Sequence, residues 1–297
     1  ARLDGLPEPV ARAIEDHYKP TSPDGELPAA IEACLLSLAD RIDLLAGCFA
    51  IGLLPKGSSD PYGLRRAAHG VCRLLLSAPM ASLPRRIHFP QAVQAALEGY
   101  SGQGIQAAPG AGRAVVEFTG QRLRFMMEED GMRLDTARAV LSAGFDDLHD
   151  AWQRAAALTT LRGPQHEADF LALASSAKRI RNILSQAAEM GIGLDGVRAD
   201  PKRLVDAEEK DLHAAIEGAA AEVDRLAGSR DYQAALRRIA SVRPQVDRFF
   251  DKVLVMAPDE RLRLNRLALL KGLSALLSRV ADFSEIVVEG ESTERDA

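Results

Sequence analysis

Four residues in one short stretch could hold a polyanion. In "SAKRIRNILS" (176–185), Lys178, Arg181, Asn182 and Ser185 stand at i, i+3, i+4 and i+7, the spacing that gathers side chains on one face of a helix. Ala177, Ile180 and Leu184 fall away from that face and suit a core. Two cations, an amide and a hydroxyl on one exposed stripe suit phosphate oxygens and base edges. A second basic feature is longer. Residues 225–279 carry twelve bases against five acids, a local net of +7, in a chain whose net charge is −5. Nearly all these bases are arginine, whose planar fork meets phosphate with two hydrogen bonds and stacks on nucleobases. Residues 186–224 are the opposite, with ten acids against four bases, and the last eighteen residues hold six acids against one base. The charge layout alone suits an RNA-facing surface and a solvated charged face equally well.

Other chemistry is sparse. The glycines around 99–112 follow no strand and lack the G-x-x-x-x-G-K-[ST] pattern that cradles phosphates, so they read as a linker. In "LADRID" (38–43), Asp40 and Asp43 lie on adjacent turns, but no histidine stands near them to complete a metal set. Capping, or pairing with Arg41 and Arg65, is the plainer expectation. Cys34, Cys48 and Cys72 are dispersed and form no Cys-x-x-Cys pair, which suits three small buried residues in a reducing cytosol. His69, His88, His149, His166 and His213 are scattered. No nucleophile–base arrangement stands out, so no complete active site is expected. A sequence pI near 5.8 argues against a purely electrostatic nucleic-acid binder.

The elements that must carry these residues read as helices. Hydrophobic residues make up 47% of the chain but aromatics only 5%, and the Ala, Leu and Arg that dominate favour helix over strand. Periodicity predicts helices over 6–18, where Val10, Ile14 and Tyr18 recur, and over 29–51, 64–77, 118–131 and 134–141. Further helices are expected over 168–190, 207–227 and 231–240, with a last one after "APDE" (257–260). Asp206 followed by Glu209 is a capping-box signature. The stretch 78–90 is broken by prolines, and 100–113 is the expected flexible surface loop. The polar end "EGESTERDA" is expected to fray. No signal peptide or apolar span of membrane length is evident, and a cytosolic piece trimmed at its N-terminus is the expectation.

At this point the residues resemble a family. "FFDKVLVMAPDE" (249–260), "LRLNRLALL" (262–270) and "VADFS" (280–284) are similar to the DALR-type anticodon-binding domain at the end of bacterial glycyl-tRNA synthetase β subunits. "SAKRIRNIL" (176–184) is similar to the segment that opens that domain. Upstream, "PEPVARAIEDHYKP" (7–20), the run 38–75 and "FTGQRLRFMMEEDGMRLDTARAVL" (118–141) resemble successive β-subunit segments.

The resemblance implies an all-α chain: a multi-helix body followed by a DALR-type helical bundle. It implies the trailing part of an HD-like domain over 1–80, a helical body or linker over 81–165, the anticodon-binding domain over 166–290 and an acidic tail over 291–297. "LADRID" would then stand without a preceding His-Asp pair because that pair belongs to an upstream part. The resemblance implies tRNA(Gly) and the synthetase α subunit, in an α2β2 assembly, as partners, and neither a membrane nor DNA. The HD-like part would approach the acceptor arm. Glycine activation would belong to α, so this chain would hold no cofactor, while the whole enzyme uses ATP and Mg. The place of action would be the cytoplasm. Exposure, not family motif, nominates Lys178, Arg181, Asn182, Arg261, Arg263 and Arg266 as tRNA contacts; Asn265 alternatively bonds a neighbouring helix end. The competing readings are the anticodon-binding domain of an arginyl-tRNA synthetase, an HD-type metal phosphohydrolase remnant and a structural assembly module.

Overall fold

The computed structural model describes residues 1–163 and 167–288, and every regular element among them is helical. The chain divides into two compact units. Unit 1 comprises Ala1–Asp130 with Phe145–Trp152, and unit 2 comprises Gly131–Gly144 with Gln153 onward.

In unit 1 the central element is α2 (Ile31–Ala50). Its apolar residues extend well beyond one stripe, the mark of a helix covered on several sides. α1 (Glu8–Asp16), α3 (Leu64–Leu76), α5 (Phe89–Gly102) and α6 (Ala111–Glu129) all pack on it, and the single turn α4 (Ala78–Ala81) touches it as well. Cys34, Leu38, Leu45, Ala46, Leu74, Val93 and Leu123 fill the space between them. Two close approaches depend on glycine. A Cβ on Gly47 would come within 2.6 Å of the Tyr100 hydroxyl, and one on Gly120 within 2.5 Å of the Phe145 ring.

Three expectations need correction here. The stripe Val10, Ile14 and Tyr18 faces solvent, and Ala11 and Ala13 are the buried residues of α1. The expected loop over 100–113 is helical at both ends, leaving 103–110 as the connector. That connector is tied down by the Ala108 amide donating to the Ala50 carbonyl at 2.9 Å. Finally, α5 begins inside the proline-broken stretch. Pro90 lies in its first turn, where no amide hydrogen is needed.

Unit 2 contains α7 (Leu134–Ser142), the later part of α8 (Leu148–Leu161), α9 (Glu167–Glu189), α10 (Ala207–Gly228), α11 (Tyr232–Ala240), α12 (Arg243–Lys252) and α13 (Glu260–Leu277). α10 packs against α11, α12 and α13, and α9 packs against α12 and α13. The capping box is present: the Glu209 carboxylate accepts from the Asp206 amide, and Asp206 caps the third residue of α10. α13 is the core helix. Leu267, Leu269, Leu270, Leu273, Leu276 and Leu277 are all nearly inaccessible, and each contributes about 1.5–3 kcal/mol relative to an exposed position. Buried Arg154 donates to the carbonyls of Val140, Gly144 and Val280, joining α7 and the segment after α13 to α8. The boundary expected near 165 and the tail over 291–297 fall on or beside residues outside those described, as does His166.

Candidate nucleic-acid interface

The separation of charge along the sequence is partly offset in space. Acids of α10 and its surroundings pair with arginines of the basic block: Glu222 with Arg238 at 2.9 Å, Asp224 with Arg279 at 2.9 Å, and Asp211 with Arg248 at 3.7 Å. Arg243 pairs with Asp247 one turn on at 3.2 Å. Such exposed pairs contribute roughly 0–1 kcal/mol each. Their larger effect is on surface potential, because a neutralised arginine attracts a polyanion weakly. The +7 segment is therefore not a continuous positive face.

The six nominated contacts fall into different environments. Lys178 is half-buried on α9, while Arg181 and Asn182 are exposed beside it. Arg181 already holds Glu285 at 2.7 Å and the Ser284 carbonyl at 3.3 Å. Arg261 is exposed in the first turn of α13, with no ion-pair partner among the described residues. Arg263 is half-buried and donates to the Ala257 carbonyl at 3.0 Å.

Arg266 is not on the surface. It is 6% exposed. Its guanidinium donates to Glu209, to Asp206 at 2.7 Å and to the Leu254 carbonyl at 2.8 Å. The exposure that nominated it is contradicted: its charge is spent on the capped start of α10. Asn265 takes the structural role allowed for it, exchanging two hydrogen bonds with the Asp200 backbone at 2.7 and 3.2 Å.

These residues do not form one cluster. A groove lined by Arg181, Ser185, Ser274, Leu277 and Ser278 places the α9 group beside the C-terminal end of α13. Arg261 lies sixteen residues earlier on α13 than Leu277, about 24 Å along a helix axis.

The sequence reading missed a larger groove of about 630 Å³ between α10, α13 and the segment around 196–201. Arg198, His213, Lys271 and Arg279, with the one acid Glu217, line it beside the small residues Ala268, Gly272 and Ala275. Lys271 donates to the Leu194 carbonyl at 2.6 Å. The groove's signal was present as small residues at 268, 272 and 275 flanking cations at 271 and 279, but it needs α10 opposite to become concave.

Among the described residues no group of three or more His, Cys, Asp or Glu side chains could hold an ion, and the adjacent His149 and Asp150 in α8 belong to no such group. Asp43 accepts from the Tyr100 hydroxyl at 2.9 Å, not from Arg65, which instead donates to the carbonyls of Gly57 and Ser59. No described helix is long and apolar enough to cross a membrane.

Comparison with known proteins now gives the class. Residues 173–286, the α9–α13 bundle and the segment after it, match the DALR anticodon binding domain; unit 2 thus contains a helical anticodon-binding domain. Residues 1–142 match the glycyl-tRNA synthetase beta subunit. The chain is 44% identical over 291 residues to the glycine–tRNA ligase beta subunit of Acidobacterium capsulatum, covering 97% of this chain and 40% of that protein. It is 40% identical over 294 residues to the one from Myxococcus xanthus and 37% over 290 residues to the one from Moorella thermoacetica, with the same coverage. The chain belongs to the glycyl-tRNA synthetase β-subunit family. It spans about 40% of the length of these relatives.

Proposed function

We propose that this chain is the tRNA-holding part of a glycine–tRNA ligase, binding tRNA(Gly) through unit 2. An α subunit, in an α2β2 assembly in the cytoplasm, would carry the glycine and ATP chemistry with Mg. The observation that carries the reading is the match of the α9–α13 bundle to an anticodon-binding domain. The cations on its surface support it. The proposed contacts are Lys178, Asn182 and Arg261, joined by Arg181 once phosphate displaces its Glu285 partner, and by Arg263 with the guanidinium hydrogens that its bond to the Ala257 carbonyl leaves over. Arg198, His213 and Lys271 in the larger groove are added to them. Arg266 acts at one remove, by fixing α13 against α10. The arginyl-tRNA synthetase reading gains nothing, since the relatives compared carry the glycine name.

The test is a titration of the chain with tRNA(Gly) and a non-cognate tRNA at two salt concentrations. Tighter binding of tRNA(Gly), weakening as salt rises, is expected. Equal and weak binding of both would refute anticodon reading by this chain. Replacing Arg261 with Gln should weaken binding of every tRNA tested and lower the salt slope by about one.

A further inference from the structure

The start of α3, whose Arg65 is held by carbonyls of the loop "GLLPKGSSDPYG" (52–63), helps to build a concentrated positive site in unit 1. A cleft of about 200 Å³ is lined by Pro20, Thr21, Ser22 and Pro23 on one side and by Arg65, Arg66, His69 and Arg122 on the other. No carboxylate lines it.

Asp60, close enough to act on the Arg122 charge, is already engaged. Asp60 accepts the backbone amides of Leu64 and Arg65 at 2.8 and 2.9 Å, closing the first turn of α3. Arg65 is held half-buried by the loop carbonyls. Arg66 is exposed, lies against Gly63 and has no ion-pair partner among the described residues. Arg122 is the informative member. Its guanidinium lies over the rings of Phe118 and Phe125, at 5.4 and 5.0 Å. Its Nε is buried and finds no hydrogen-bond acceptor among the described residues, and its Nη2 makes only a long hydrogen bond to Gln121, at 3.5 Å. A buried charged donor without an acceptor is costly. Burial first, and then the neighbouring Arg65 charge, hold the Arg122 guanidinium below its ordinary pKa.

The far wall is fixed in place. Arg41 donates to the carbonyls of Tyr18 and Pro20, Arg73 to those of Pro23 and Gly25, and His69 Nε2 lies 3.3 Å from the Pro23 carbonyl. The cleft is smaller than the roughly 300–1,000 Å³ typical of drug-sized ligands, so it suits one small anion.

We infer that this cleft binds a single phosphate group, held by Arg65, Arg66 and Arg122 with the Thr21 and Ser22 hydroxyls opposite. The phosphate belongs either to an RNA backbone or to a free phosphate-bearing small molecule. This site lies in unit 1 and does not depend on anticodon reading by unit 2.

The experiment titrates the chain with inorganic phosphate against chloride at matched ionic strength, following the arginine Nε–H resonances by NMR, and in parallel with tRNA. Arg66→Gln changes an exposed side chain and should leave the fold intact; Arg122→Gln is the second variant. Saturable phosphate binding that shifts the Arg122 Nε–H resonance and weakens about tenfold in either variant is expected. If tRNA affinity also falls and its salt slope drops by about one, the ligand is backbone phosphate. If tRNA affinity is unchanged while phosphate binding weakens, the cleft serves a free phosphate-bearing ligand. No saturable phosphate binding, or binding that both variants leave unchanged, overturns the inference. A chain that binds phosphate here but no tRNA would refute the function proposed for unit 2 and leave this site standing.

Discussion

Replacing Arg266 with Met tests the claim that this arginine belongs to the architecture of unit 2. The substitution keeps much of the side-chain volume and removes three hydrogen bonds, two of them to carboxylates. Glu209, which is 0% exposed, would keep the backbone amides of Val205 and Asp206 but lose the guanidinium that pairs with it. The Leu254 carbonyl would lose its donor as well. Removing one partner of a buried pair costs about 3–5 kcal/mol, because the other charge stays behind in a poorly solvating place. With a urea dependence near 2 kcal/mol per M, the unfolding midpoint of unit 2 should fall by about 2 M. Circular dichroism would follow the transition, and hydrogen exchange should locate the loss in α10 and α13. Met in place of Arg261, at an exposed position on the same helix, should cost under about 0.5 kcal/mol. A loss below about 1 kcal/mol for the Arg266 variant would refute the structural role and return Arg266 to the pool of RNA contacts.

Three further outcomes are expected. Burial pushes the Asp135 carboxyl up, but Arg162 at 2.6 Å and the Val287 amide at 2.9 Å draw it net below its ordinary value. The stability it supplies is therefore present above the unfolded value of about 3.9 and lost as pH falls through the lower folded value. Urea midpoints measured from pH 5 to pH 2.5 should show this loss, and Asp135→Asn should remove that part of the slope. Gly120→Ala should destabilise unit 1 by about 1–3 kcal/mol through collision with Phe145, read by thermal unfolding; an unchanged midpoint would mean that the ring moves aside freely. All three cysteines are buried, and burial pushes the Cys72 thiol up to about 12. A thiol reagent should thus label none of them quickly until denaturant is added.

What could be read in the sequence was what depends on neighbours along the chain. The capping box at Asp206 and Glu209, the all-helical character and the helix over 168–190 rest on spacing within a few turns, and each is present. α5 and α12 were not read as helices; Pro90 closed the stretch taken as proline-broken, and Pro244 stands at the start of α12. Both lie in first turns, where proline starts a helix rather than ending one. The exposed apolar stripe of α1 was misread for another reason: periodicity says which residues share a face, not whether anything covers it. The fate of Arg266 was hidden because Leu262, Leu264, Leu267, Leu269 and Leu270 surround α13, leaving no polar side to mark its orientation. Its partners lie 57 and 60 residues away. The cleft in unit 1 draws on residues 20–23, 65–69 and 122, a grouping that only the packing of α3 against α6 creates.

The pairing of α10 acids with arginines on α11–α13 and just beyond makes the outer charge of unit 2 adjustable without touching a single cation. Glu222 and Asp224 each mask one arginine, Arg238 and Arg279. Replacing either acid with a neutral residue would unmask a guanidinium already standing in position, at a cost of about 0–1 kcal/mol. Lineages could thus tune their grip on a polyanion by editing acids alone, and an engineer seeking tighter RNA retention would begin on α10 rather than add arginines elsewhere.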